Sequence, residues 1–431
     1  MGASAGGMDE RPPRPRAGVT APDERPPLPP HPLQPRLDAT ARRGRRHRSR
    51  AEAAWRRDPL GCLEAEFDAD RDVWRSASGR LFVTGPEAAR EVMGNSRGLF
   101  VETSDFFHTR YGVFGPRTAQ REIGRNAREL LRRRFDATRA DLPRLVGDRL
   151  VPVSDWPDAG NLLVREHLGE TLLCPDTSAR LRLAVDGVID RAVRAGARDR
   201  HTALARLLFR HTVMRALIAE IRARRAAGTD GAPRDLLDVV VTGGGPAADP
   251  AELAEVYLSF LFATVGSIGF ALGWSLYLVG THPGTEDEEP ERIVREALRL
   301  WPVAWLFARS PNAVHDLAGV TVGPQDEIAV CSYLVHRHPR HWDRPDAFVP
   351  SRWAEPVHDP AFLPFGYGPH TCAGATVTMT LLQDLVRVLT RDWHLSVGGE
   401  GYAPQVGPAL APPRFTVRLT RRTDTPKGGE G

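Results

Sequence analysis

Apolar residues recur at helical spacing through most of the chain, predicting helices over 120–135, 161–173, 178–195, 200–226, 251–280 and 291–300, and an apolar helical run over 376–389. Short β-branched and aromatic stretches at 80–84, 320–322, 327–331 and 414–419 read as strands, the first of them closed by the turn pair Gly85-Pro86. The pattern predicts a mainly α protein with small β-sheets. No internal repeat stands out, and nothing after residue 51 shifts in composition, so 51–422 reads as one large helical domain.

One segment of the pattern breaks the amphipathic rule. Residues 256–285 contain no Asp, Glu, Lys or Arg and are long enough to cross a bilayer. The stretch nevertheless carries Ser259, Thr264, Gly266, Ser267, Gly269 and Gly273, and acids rather than a positive clamp flank it (Glu252, Glu255, Glu286, Glu288). A helix buried on all sides is therefore expected, with a membrane anchor as the alternative.

Composition refines this picture. At 431 residues and 41% hydrophobic, the chain can build a substantial core. Its net charge of +4 is carried by the first fifty residues, where 11 Arg face 5 acids; the remainder is close to neutral. Lysine occurs once, at Lys427, a bias that fits GC-rich coding better than a binding role, and no nucleic-acid partner is read from it. Residues 1–50 hold 10 prolines and the run ARRGRRHRSR with few large apolar residues. They are expected to form a disordered arm, either a docking tail or a neutral extension, and 423–431 a flexible tail. Cys62, Cys174, Cys331 and Cys372 are far apart and form no C-x-x-C pair, and no apolar leader follows the first methionine. A reducing, cytoplasmic setting is expected, without a membrane and as a monomer.

The strongest chemical signal is Phe365-Gly-Tyr-Gly-Pro-His-Thr-Cys-Ala-Gly374, which places one cysteine in a glycine-rich loop just before a helix. A sulfur at a helix start meets unpaired N–H groups and the positive dipole end, which favour thiolate, a soft ligand for iron. Gly366 and Gly368 would let the backbone approach a flat cofactor, Gly374 would let the helix lie close beneath it, and Phe365 would shield the sulfur. His370 is spaced to reach an anionic group at the cofactor's edge.

This loop resembles the haem-binding signature of the cytochrome P450 family, F-x-x-G-x-[R/H]-x-C-x-G, with every constrained position filled. The resemblance runs from about residue 51 to 420 and is strongest after 255. It implies a helical fold around a buried haem b held by Cys372, Phe365, Gly368, His370 and Gly374. It also implies a Glu296–Arg299–Arg352 triad locking the core beneath the haem, and propionate contacts from Arg309 and, with less support, Arg128. Where the family often has a histidine four residues before that arginine, this chain has Gly124. The stripe Arg121, Arg125, Arg128, Arg132 could greet an acidic electron donor or be a solvated face.

The chain departs from the family in its long apolar helix. In place of [A/G]-G-x-[D/E]-T, whose acid and alcohol relay protons during oxygen activation, it has Ala263-Thr-Val-Gly-Ser267. Gly266 stands where the acid should be, which leaves Ser267, Thr264, water or the substrate to handle protons. Three readings follow: the substrate completes the relay, peroxide replaces dioxygen and electrons, or the reaction is coupling or rearrangement rather than oxygen insertion. The first is preferred. It makes the chain a monooxygenase acting on a small organic substrate, fed by a separate ferredoxin-type donor and tailoring a bacterial secondary metabolite; a non-catalytic haem-binding protein is the alternative from another class. The segments 262–267, 303–306 and 102–111 are the expected pocket lining.

Overall fold

The computed structural model describes residues 42–101, 106–194, 201–228, 231–355, 359–399 and 403–422. The arm as far as residue 41 and the tail from 423 lie outside the described residues. One boundary moves: a helix spans Arg42–Arg57, inside the arm expected to extend to residue 50. The last proline of the arm is Pro35, and the alanine- and arginine-rich sequence beyond it has good helix propensity. Trp55 ties this helix down, its ring 5.5 Å from that of Phe82 and 6.2 Å from that of Trp305.

The apolar segment forms the central helix, Pro250–Thr281, and 72% of its most apolar window is buried inside the protein. It starts where Asp249 caps the Ala251 N–H and Pro250 occupies the first turn, and it is hydrophobic all round because protein surrounds it. Helix Asp158–Leu172, here the crossing helix, lies directly on it. The two backbones meet through glycine: a Cβ on Gly160 would fall 2.8 Å from the Gly269 carbonyl oxygen, and one on Gly269 would fall 2.8 Å from the Asn161 backbone. Trp274 of the central helix stacks on Trp301 at 4.2 Å between ring centroids, just past the end of helix Pro290–Leu300.

Other helices match the expected periodicity with shifted ends: Arg117–Thr138, Ala203–Ala227 and Ala375–Asp392. The helix expected over 178–195 is α-helical only over Ala179–Val188 and then widens into a π turn, Ile189–Val193. The sheets are small, as expected. Of the two largest, the first has the strand order Val73–Arg75, Leu81–Val83, Ile328–Cys331, Leu306–Arg309 and the second Trp393–Gly398, Phe415–Arg421, Val153–Trp156. The second alternates clearly along Trp393–Gly398 and Phe415–Arg421, and the sequence reading missed the former; Val153–Trp156 turns Val153 outward and Ser154 inward, against its polarity, and so gave no strand signal.

Candidate functional site

The cysteine loop is shaped by its glycines. Gly366 and Gly368 have φ of +74° and +73°, backbone that a side chain rarely adopts, and a Cβ on Gly368 would stand 2.7 Å from Cα of Gly94. The loop therefore lies flat on the end of helix Pro86–Gly94, where Arg90 donates to the Tyr367 hydroxyl at 3.0 Å. The Cys372 N–H donates to the Phe365 carbonyl at 2.9 Å, which closes the loop, and helix Ala375–Asp392 starts three residues later.

Of the four cysteines, Cys372 alone is exposed. Burial pushes the Cys331 thiol up to about 12; burial together with Asp235 does the same for Cys174, so neither offers a thiolate. The protein packed around Cys372 also desolvates it, which pushes its thiol up, while the Gly374 N–H pulls it down. The expectation that the helix start by itself favours thiolate is thus corrected: desolvation outweighs the N–H groups, and a bound cation would be what deprotonates the sulfur.

Three other elements converge on the loop. A Cβ on Gly124 of helix Arg117–Thr138 would lie 3.4 Å from Ala373, which brings this helix alongside the cysteine; Arg128, one turn further along, is exposed. The Phe307 ring leans on Gly366, 3.7 Å from where a Cβ would be, and Arg309 at the end of the same strand is buried, with its Nη1 on the Ala308 carbonyl at 2.7 Å. His370 sits half-buried in the turn Gly368–His370. On the stripe, Arg121, Arg125 and Arg132 are exposed too, although Arg132 is paired with Glu129 and Asp136.

Below the loop, Glu296 is wholly buried and accepts from Arg299 Nε and Nη2, Arg352 Nε, the Val349 N–H and Trp353 Nε1, each at 2.9–3.0 Å. Arg299 donates onward to the carbonyls of His336, Pro345 and Ala347. Helix Pro290–Leu300 is thereby fastened to the segment that leads into the cysteine loop. The sequence reading had the three charged members; the contributions of Val349 and Trp353 depend on folding and carried no signal.

The central helix loosens into a π turn over Phe262–Ser267. Leu258, Ser259, Phe262, Ala263 and Ser267 form a half-buried row on it, while Val265 and Gly266 are buried. The structure separates the three residues named for proton handling. The Thr264 hydroxyl is buried and donates to the Phe260 carbonyl at 2.6 Å, Gly266 packs toward Val193, and Ser267 stays on the half-open row. Of the expected pocket lining, 102–105 lie outside the described residues, Phe106 packs edge-on against Phe260 at 4.7 Å, Tyr111 is 53% exposed, and Trp305 is buried with its Nε1 on the Gly407 carbonyl.

Among the described residues, Cys174, Asp235 and Asp238 are the one group of metal-binding type drawn together. Arg224 fills both carboxylates, at 2.6 Å to each, so this is a buried ion cluster. The exposed Cys372 is the better metal donor. Its soft sulfur, the flat glycine cradle beside it and the cationic Arg309 and Arg128 on neighbouring elements fit an iron porphyrin with acidic substituents.

The family profile described as Cytochrome P450 matches residues 290–393, which hold both the Glu296 network and the cysteine loop. Over this segment the chain is similar to the cytochrome P450 family. Its fold agrees: P450 EryK from S. erythraea superposes with a TM-score of 0.65 at 19% identity, over 86% of this chain and 96% of that one. Among curated relatives, the chain is 29% identical to cyclooctatin synthase of Streptomyces melanosporofaciens over 39% of its own length and 44% of the relative's. It is 28% identical to pentalenene oxygenase of Streptomyces avermitilis over 50% and 54%. The chain thus spans about half the length of the curated relatives it matches.

Sequence reasoning missed two polar contacts near the site. Asn161 of the crossing helix bonds the π turn, and Glu255 of the central helix holds Arg110 and Arg210. A polar residue at a core position of the crossing helix, in line with Val164 and Leu168, was the available clue to the first.

Proposed function

We propose that this chain is a haem-thiolate monooxygenase that binds haem b through Cys372 and oxidises a small organic substrate with dioxygen and electrons from a separate ferredoxin-type donor. The observation that carries the reading is the single exposed cysteine in a glycine-moulded loop, backed by the buried Glu296 network. When bound, the haem would supply the oxidising chemistry, with Cys372 as the residue that would hold its iron. The chain's own residues do the rest. Arg309, Arg128 and His370 would hold the cofactor's carboxylates, and Phe365 and Gly374 would shield and seat the sulfur. Ser267 Oγ would hold and pass protons at the half-open row. Leu258, Phe262 and Ala263 would exclude water and orient the substrate. The exposed arginines of helix Arg117–Thr138, beside the cysteine loop, would greet the donor.

The Streptomyces relatives named cyclooctatin synthase and pentalenene oxygenase support a secondary-metabolite substrate, and a monomeric, cytoplasmic protein fits this reading. A second reading rests on Gly266: with no acid at that position, turnover with peroxide, or coupling or rearrangement, competes with oxygen insertion. The deciding experiment is the absorption of the reduced protein under carbon monoxide. A strongly red-shifted Soret band that Cys372→Ala abolishes is expected, and an unshifted band overturns the reading. Product formed with a surrogate ferredoxin and its reductase, against product formed with peroxide alone, separates the two mechanisms.

A further inference from the structure

Asn161 is fully buried at the point where the crossing helix meets the central helix. Its Nδ2 donates to the Val265 carbonyl at 2.9 Å and to the Gly266 carbonyl at 3.3 Å, while its Oδ1 is buried with no hydrogen-bond partner among the described residues. An amide left half-satisfied in the core is a poor choice for packing, because a leucine of similar volume would fill the space without stranding an acceptor. The residue is therefore explained by what its nitrogen does.

That nitrogen acts on the only stretch of the central helix where the regular ladder is broken. In the π turn the Ile268 N–H bonds the Val265 carbonyl three residues back, and the carbonyls of Val265 and Gly266 both also accept from the Asn161 amide. The adjoining glycines make room for it: a Cβ on Gly269 would collide with the Asn161 amide, and one on Gly266 would press on Val193 at 3.2 Å. The turn in its present form is what leaves Ser267 on the half-open row and Thr264 turned into the backbone.

We propose that Asn161 is a positioning residue for oxygen activation: from a separate helix, its amide holds the π turn open and so presents Ser267 to the reacting centre of a chain that lacks the usual acid. The proposal rests on the haem-thiolate reading for its functional half, but not for its structural half. Nothing in the role requires Asn161 to touch substrate or cofactor.

The test compares wild type with Asn161→Asp, which keeps the shape but sets acceptors against two carbonyls, and with Asn161→Ser should the first fail to fold. Hydrogen–deuterium exchange of the full chain should show amides in 262–271 exchanging at least about tenfold faster, with 375–392 unchanged. In the haem-loaded protein, the carbon monoxide band and KM should stay at their wild-type values, while hydrogen peroxide released per electron pair rises severalfold. Exchange that is unchanged, or accelerated equally in both segments, overturns the proposal, as does unaltered peroxide release. If wild type itself shows no red-shifted band, the functional reading fails, and the exchange result still decides whether Asn161 holds the turn.

Discussion

Glu296→Gln removes one charge from the most densely bonded carboxylate described in the chain, with almost no change in shape. Five donors converge on it, and Arg299 beside it has no exposed surface. A glutamine has one acceptor oxygen. Placed at the Oε1 position it retains Arg299 Nη2, Arg352 and Val349, but its NH2 then opposes Arg299 Nε and Trp353 Nε1. Two donors are left facing a donor, and a buried guanidinium loses its counter-charge, a change worth about 3–5 kcal/mol. Urea unfolding followed by far-ultraviolet circular dichroism should show the midpoint falling accordingly with the slope unchanged. The control is Glu291→Gln on the same helix, whose pair with Arg295 is exposed at 3.3 Å and should matter by no more than about 0.5 kcal/mol. A midpoint for Glu296→Gln no lower than that of the control would refute the claim that this network anchors the cysteine loop's approach.

Gly368→Ala must adopt a positive φ and push against Gly94, so we expect a loss of about 1–3 kcal/mol and weaker haem retention, measured by transfer of haem to apomyoglobin; retention equal to wild type would disprove the flat-cradle argument. Burial lowers His336 to about 3 and His167 to about 4. Both are neutral when folded, so their contribution is intact above the unfolded value near 6.5 and is lost as pH falls from there toward 3–4, by up to about 1.4 kcal/mol per pH unit for each. His336 Nε2 accepts the Leu363 N–H at 2.8 Å, a bond that protonation abolishes, and His336→Asn should flatten the stability profile between pH 4 and 6.5. Glu255 joins the central helix to Arg110 at 2.5 Å and to Arg210 at 2.9 Å on two separate elements. Glu255→Gln should accelerate association and dissociation of a hydrophobic type II azole probe severalfold in stopped-flow absorbance; unchanged rates would show that these elements do not govern entry.

The parts of the site that were legible in sequence are those written within a few residues of one another. The Phe365–Gly374 loop encodes its own bends in Gly366 and Gly368, and Glu296 and Arg299 share a helix face because they are three apart. The central helix was legible from its lack of charge, and 72% of its most apolar window is buried inside the protein, as expected of a core helix. What escaped notice depends on partners distant in the chain. Asn161 meets Val265 across 104 residues, and Val153–Trp156 becomes a strand by pairing with Phe415–Arg418. The choice between Thr264 and Ser267 also needed the fold, since a hydroxyl that bonds its own helix and one that does not look alike in a sequence.

The glycine-on-glycine crossing of Gly160 and Gly269 limits how this protein can be engineered. Exchanging helical glycine for alanine ordinarily toughens a protein by about 0.4–1 kcal/mol through the unfolded chain. At these two positions the added methyl would instead wedge the pair apart and drag the Val265–Ser267 backbone with it, so hardening the scaffold there would detune its chemistry. Programmes seeking heat resistance should leave both untouched and look to surface helices.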